Sequence, residues 1–263
     1  MPTPAELLAV ARPLAEEAGR QLLEALAGER TISTKTTGTD LVTEMDAWAE
    51  EFVTAGLLAA RPDDSVRGEE GADHRGTSDV TWWVDPIDGT VNYVHGLPGF
   101  NVSIAADVDG ETMAGVVVSP LHHDVFWAGR GMGAFRNDER ISASATTEVS
   151  KAVVGTGFSY ESERRRRQAE IVAAVIGDIA DIRRDGAAAI DLCWVACGRL
   201  DAFWETGLNR WDHAAGVLIA SEAGAICTDL DGGPVSQAFA LAAPPALHPG
   251  LQALLREHAA DQV

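Results

Sequence analysis

Apolar positions recur at helical spacing through most of the first sixty residues. From residue 4 to 27 they form one stripe. Thr3-Pro4 is a start signal, Gly28 is a stop, and Pro13 is expected to kink the helix between them. A second helix is predicted from Glu44 to Ala60, ending before Arg61-Pro62. The pattern then becomes that of strands. Val80 to Val84 is an aromatic and β-branched run, and 100–108 and 112–118 read as a hairpin turning at Asp109-Gly110. A further strand pair is expected around 124–136, with Gly129, Gly131 and Gly133 between its halves.

From about residue 151 strands and helices alternate. The expected order is strand 152–156, helix 162–177, strand 181–184, helix 187–198, strand 201–205, helix 211–223 and strand 225–229. The run Arg164 to Arg167 reads as a solvated face. A strand-rich half with two leading helices, followed by a βαβα half, predicts a layered α/β fold with a site between the halves. No repeat or low-complexity linker cuts the chain. One domain, 1–263, is therefore expected, with any subdivision near residue 150, between 1–150 and 151–263.

The predicted strand at Val84 runs into Asp85-Pro86-Ile87-Asp88-Gly89-Thr90. Two carboxylates three residues apart at a strand end offer hard oxygen ligands, which suit Mg²⁺ better than softer metals. Gly89-Thr90 can then open a turn or short helix whose free N–H groups face an anion. The same residues are equally at home in a plain turn, so this segment alone leaves both readings open.

Composition narrows the partners. A net charge of −20 over 263 residues argues against nucleic acid and against an acidic membrane surface. It is compatible with a small anionic substrate if metal cations reverse the local field. Three cysteines give no disulfide framework, no apolar run approaches a membrane span, and the N-terminus lacks a signal pattern. A cytoplasmic protein is expected. Cys193 and Cys197, four apart in an apolar helical pattern, read as core. His95, His122, His123 and His213 fit none of the common zinc spacings.

Four more segments supply matching chemistry. Gly68-Glu69-Glu70-Gly71 sets two carboxylates in a glycine-bounded loop, and Trp211-Asp212-His213-Ala214-Ala215-Gly216 puts an aspartate at the start of a small-residue helix. Asp40-Leu41-Val42-Thr43-Glu44-Met45-Asp46 follows Lys35, and Gly186-Ala187-Ala188-Ala189 precedes a helix, with Glu205 in the next strand. Each has an ordinary structural reading as loop charge, cap or helix-dipole partner. Together, in this order and with Trp83 to Pro98, they resemble the inositol monophosphatase family of metal-dependent sugar phosphatases over nearly the whole chain.

The resemblance implies a five-layered αβαβα fold, a homodimer, and two to three Mg²⁺ per active site. Glu69, Asp85 and the Ile87 carbonyl would hold the first metal. Asp85, Asp88 and Asp212 would hold the second, with Asp85 bridging, and a weaker third would sit near Glu69. The N–H groups of Gly89 and Thr90 would receive the phosphate, with Ile87, Asp88 and Asp212 beside it. Thr90 would relay the attacking water's proton to Asp46 or Glu69. Glu205, Gly186, Ala187 and Ala188 would face the sugar, and Lys35 and Glu70 are further candidates near the metal loop.

The implied reaction is hydrolysis of a small-polyol phosphate monoester, with inositol 1-phosphate leading and Li⁺ expected to inhibit. Relatives acting on fructose bisphosphate, histidinol phosphate, NADP or adenosine bisphosphate share the metal motifs. A regulatory protein that keeps the fold without turnover is the alternative of another class. Two departures fall on the sugar side. Ala187 stands where relatives carry Ser or Thr, and Asp185 adds a charge expected to disfavour a second phosphate.

Overall fold

In the computed structural model the backbone is described for residues 1–26, 32–34 and 41–263, and the side chains for 1–26 and 44–263. Helix α1 (Pro4–Ala25) begins with a capping box, in which Thr3 Oγ1 accepts from the Glu6 N–H at 3.3 Å and Glu6 returns an acceptor to the Thr3 N–H at 2.7 Å. It continues through Pro13. Gly28 lies outside the described residues. Short strands β1 (Ile32–Thr34) and β2 (Leu41–Thr43) pair antiparallel ahead of α2 (Glu44–Ala60).

Next come β3 (Ser65–Gly68), β4 (Asp73–His74), β5 (Val80–Asp88) and the short helix α3 (Thr90–His95). A meander follows of β6 (Asn101–Val108), β7 (Glu111–Ser119), β8 (Asp124–Gly129), β9 (Gly133–Arg136) and β10 (Glu139–Arg140). These strands make an eight-stranded sheet in the order β10-β9-β8-β7-β6-β5-β3-β4, antiparallel except where β3 runs alongside β5.

The second half alternates as expected: β11 (Val153–Thr156), α4 (Ser162–Val175), β12 (Asp181–Arg183), α5 (Ala188–Ala196), β13 (Ala202–Glu205), α6 (Arg210–Glu222) and β14 (Ile226–Thr228). Two elements that the sequence pattern does not predict close it, β15 (Ala240–Ala243) and α7 (His248–Glu257). The sheet order is β12-β11-β13-β15-β14, with β11 parallel to both β12 and β13.

Three apolar cores stack these elements into layers. One joins α1 and α2 to the eight-stranded sheet through Leu7, Leu22, Val53, Leu57, Trp82 and Ile104. The central one places α5 and α6 between the two sheets, around Ile190, Leu192, Ala215 and Ile219. The third packs α4 and α7 on the far face of the five-stranded sheet, through Val175, Leu241, Leu251 and Leu255. The architecture is a mixed α/β αβαβα stack. Cys193 lies in the central core with Cys197 packed against it. Among the described residues no helix is long and apolar enough to cross a membrane.

One expected boundary is corrected. The strand predicted to stop at Val84 extends to Asp88. Asp85 faces Ser103 and Asp88 faces Asn101, so one extra residue is accommodated in a bulge. Pro86, which has no N–H to give the ladder, falls in that bulge. The bulge turns residues 85 to 88 away from simple alternation, and all four are buried.

Candidate active site

A cleft of about 500 Å³ opens where the bulged end of β5 meets the start of α5, the end of β13 and the start of α6. Glu69, Asp85, Ile87, Asp88, Gly89 and Thr90 line it from the first half of the chain. Gly186, Ala187, Ala188, Glu205 and Asp212 line it from the second. Residues up to 143 positions apart (Glu69 to Asp212) thus share one wall.

Each aspartate is fixed by the backbone near it. Asp85 Oδ1 accepts from the Ile87 N–H at 3.1 Å, across the bulge. Asp88 Oδ2 accepts from Asn101 Nδ2 at 2.9 Å and from the Ala189 N–H at 2.8 Å, so the first turn of α5 docks on it. Asp212 Oδ2 accepts from the Asn209 N–H at 2.6 Å in the capping box that starts α6. Gly89 has φ 89°, and a Cβ there would lie 3.2 Å from the Gly99 carbonyl oxygen and 3.3 Å from that of Gly186. Only glycine serves both the left-handed backbone and that close approach.

The Thr90 hydroxyl lies 3.2 Å from Asp46 Oδ1 and 3.1 Å from the Ile87 carbonyl oxygen. With one proton it donates to one of them at a time. Asp46 is buried behind Thr90 and is not part of the cleft wall. Glu70 does not line the cleft either, and its N–H donates to Glu50. Lys35 and Asp40 lie outside the described residues.

The site is crowded with like charge. Burial raises the Asp85 carboxyl well above its ordinary range, and Glu69, Asp88 and Asp212 push it further. Asp88 is pushed up to about 6 by burial, against the pull of its bonds from Asn101 and Ala189. Burial, then Glu69 and Asp88, raises Asp212. Burial and then Asp88 push Glu205 up to about 8, with Arg184 and Arg164 pulling the other way. Among the described residues no three Asp, Glu, His or Cys side chains have closed into a metal-ligating group. The donor chemistry nevertheless fits hard cations: the wall is built of carboxylates that repel one another in a buried place, a charge excess that a divalent cation would relieve.

The inositol monophosphatase family model matches residues 3–260. The chain belongs to that family. Its enzyme class is phosphoric monoester hydrolase, and the family is generally metal-dependent. It is 45% identical over 241 residues to the inositol-1-monophosphatase SuhB of Mycobacterium tuberculosis, covering 84% of this chain and 83% of that protein. It is 41% identical over 199 residues to a Pseudomonas aeruginosa protein named Nus factor SuhB, covering 73% of each. The crystal structure of the extragenic suppressor protein SuhB from Bartonella henselae superposes with a TM-score of 0.90 at 35% identity, covering 95% of this chain and 98% of that one.

Several residues of this family member's site escape the sequence reading. Glu50, one turn beyond Asp46 on α2, holds the loop that presents Glu69 by accepting from the Glu70 N–H at 2.8 Å and the Ala72 N–H at 2.7 Å. Its signal is a second acidic residue on the buried face of one helix. Asn101 steadies Asp88 and is itself fully buried. The arginine run is not a plain solvated face. Arg166 and Arg167 are exposed, Arg165 donates to the Ser159 and Tyr160 carbonyls, and Arg164 lines the cleft. Asp185 does not line it, and the neighbouring Arg184 does. Asn92 Nδ2 holds the Asp185 carbonyl at 2.7 Å.

Proposed function

We propose that this chain hydrolyses phosphate monoesters of small polyols in a Mg²⁺-dependent reaction, with inositol 1-phosphate the leading substrate. The carrying observation is that Glu69, Asp85, Asp88 and Asp212 line one cleft with Glu205 and Ala188. In this reading Glu69, Asp85, Asp88, Asp212 and the Ile87 carbonyl hold the metals. Bound there, Mg²⁺ supplies Lewis acidity that makes water a nucleophile at neutral pH and offsets charge on the leaving oxygen.

The chain's own groups do the rest. Phosphate monoesters are exceptionally inert, so most of the acceleration comes from positioning and charge rather than from covalent chemistry. The Gly89 and Thr90 N–H groups receive the phosphate. Thr90, in contact with Asp46, orients the attacking water and passes its proton inward, a choice of acceptor that favours Asp46 over Glu69. Glu205 accepts from one polyol hydroxyl and, while protonated, donates to another. Gly186 and Ala188 keep that wall low enough for a ring to approach, and Ala187 forgoes a hydroxyl contact.

Asp85→Asn tests the reading with two measurements. Phosphate release from inositol 1-phosphate should fall by orders of magnitude, on the order of a thousandfold or more. The metal-free variant should also melt higher than the parent, because a repelling buried carboxylate is gone, and should lose the parent's thermal gain on adding Mg²⁺. Unchanged activity would overturn the metal reading. The same reading takes the chain as a cytoplasmic, Li⁺-sensitive homodimer of single-domain protomers. A monomer in sedimentation equilibrium, or insensitivity to Li⁺, would remove those parts of it.

A further inference from the structure

The wall of the cleft away from Asp85 carries two guanidinium groups, those of Arg164 and Arg184. Neither makes an ion pair within 4 Å or a hydrogen bond to any described residue, although fourteen such ion pairs are found elsewhere among the described residues. The Nε of Arg164 is buried with no partner at all. The buried, unpartnered Arg164 Nε calls for an explanation, and the exposed Arg184 guanidinium stands on the same cleft wall.

Both groups lie against bare backbone. A Cβ at Gly207 would come within 2.7 Å of an Arg164 nitrogen, and a Cβ at Gly186 would collide with the terminal nitrogen of Arg184. Any larger residue at either glycine would displace a guanidinium from the wall. The carboxylates near them include Glu205, which both arginines influence, Asp185 and Asp191, which Arg184 influences, and Glu161. None is within ion-pair distance, so the guanidinium donors stay available to a ligand. Arginine forks match phosphate and carboxylate oxygens in pairs.

We propose that Arg164 and Arg184 form a second anion subsite, so that a polyol phosphate bearing a further phosphate or carboxylate away from the scissile ester is preferred over its counterpart without that second anionic group. This rests on the hydrolase reading above and names its substrate class. It reverses the expectation, drawn from Asp185, that a second phosphate is disfavoured: Arg184 reaches the cleft and the Asp185 side chain does not line it.

The test uses matched pairs with Mg²⁺: fructose 1-phosphate against fructose 1,6-bisphosphate, and glucitol 6-phosphate against 6-phosphogluconate. The member with the second anionic group should have a kcat/KM about ten- to a hundredfold higher, the worth of a charge-assisted contact. A preference in the first pair alone assigns the subsite to phosphate, and in both pairs to anions generally. Arg164→Gln and Arg184→Gln should each abolish most of the preference while changing the member without the second anionic group less than about threefold, and the Lys variants should keep part of it. Calorimetric titration of fructose 1-phosphate and fructose 1,6-bisphosphate, with Ca²⁺ replacing Mg²⁺, reads the same preference without turnover. If no ester is hydrolysed but the arginine-dependent binding preference persists, the hydrolase reading fails and the subsite stands. Equal handling of both members, equal losses in the variants, or a preference for the ammonium-bearing histidinol phosphate overturns the subsite.

Discussion

Glu50→Gln isolates the support of the Glu69 loop from the loop's own chemistry. The Glu50 carboxylate is buried and accepts two backbone N–H groups, from Glu70 at 2.8 Å and Ala72 at 2.7 Å. Glutamine keeps the shape but has one oxygen, so one N–H must face the new amide's own hydrogens. A hydrogen bond to a charged group is worth about 1.5–3 kcal/mol, and a donor left unsatisfied costs about 1–3 kcal/mol. A neutral side chain also avoids the cost of burying a carboxylate, which offsets part of that loss. The net expectation is about 2–3 kcal/mol. At about 2–4 °C per kcal/mol for a chain of this size, Tm should drop by about 5–10 °C.

The functional signature is separate from the stability loss. Glu69 precedes the first of the two supported N–H groups, so a loosened loop should raise the Mg²⁺ concentration for half-maximal activity several-fold, while saturating Mg²⁺ restores most of kcat. Glu51→Gln, at an exposed neighbour on α2, is the control and should change neither. Differential scanning fluorimetry and an Mg²⁺ titration of phosphate release give both numbers. A Tm change below about 1 °C with an unaltered Mg²⁺ response would refute the role assigned to Glu50.

Three further expectations address chemistry, packing and pH. Thr90→Ala should lower kcat by about ten- to a thousandfold with a smaller change in KM, as loss of a water-orienting hydroxyl requires. If KM alone moves, Thr90 is a phosphate contact. Gly115→Ala should cost about 1–3 kcal/mol in denaturant unfolding, because its Cβ would lie 2.9 Å from the Ala215 Cα and α6 would have to shift. Gly177→Ala, where a Cβ meets nothing within 4 Å, should be near neutral, and a similar cost at both would discard the close-packing account. Burial holds the His248 imidazole below its usual range, beside Thr228 Oγ1 at 2.9 Å. The folded state therefore favours the neutral ring. Its stabilising contribution is complete above the unfolded value of about 6.5 and is lost as pH falls below that. The Tm gap between the parent and His248→Gln should narrow from pH 8 to pH 5, and a gap that widens toward acid would show the sign to be wrong.

The catalytic candidates were legible because each sits in a short stretch with its own punctuation. Asp85 and Asp88 flank Pro86 and precede Gly89, Asp212 opens a run of small residues, and Glu69 is bounded by glycines. The sequence pattern ends the strand carrying the first two at Val84 because Pro86 breaks the alternation locally, whereas the pairing with β6 resumes at Asp88 through contacts that no local pattern encodes. Strand β15 was invisible for a related reason. Ala240 to Ala243 is small and buried on both faces, so it shows neither alternation nor bulk. Helix α7 follows two prolines and begins His248-Pro249, where turn signals mask the apolar stripe of Leu251, Leu254 and Leu255.

Support residues are harder to read than the cleft carboxylates because their roles depend on distant chain. Glu50 looks like any acidic residue on an amphipathic helix until a loop twenty positions later docks on it. Arg164 is the more instructive case, because a local signal was present. Gln168 and Val175 are buried, and Ile171 packs against the third core, which fixes the inward stripe of α4. Stepping back four residues from Gln168 places Arg164 on that same stripe, one turn nearer the cleft. Four consecutive arginines read as one solvated block, yet a helix separates neighbours by about 100°, so four in a row cannot share a face. The member aligned with the apolar stripe must turn inward, and the wall it reaches is where a second anion is expected to bind.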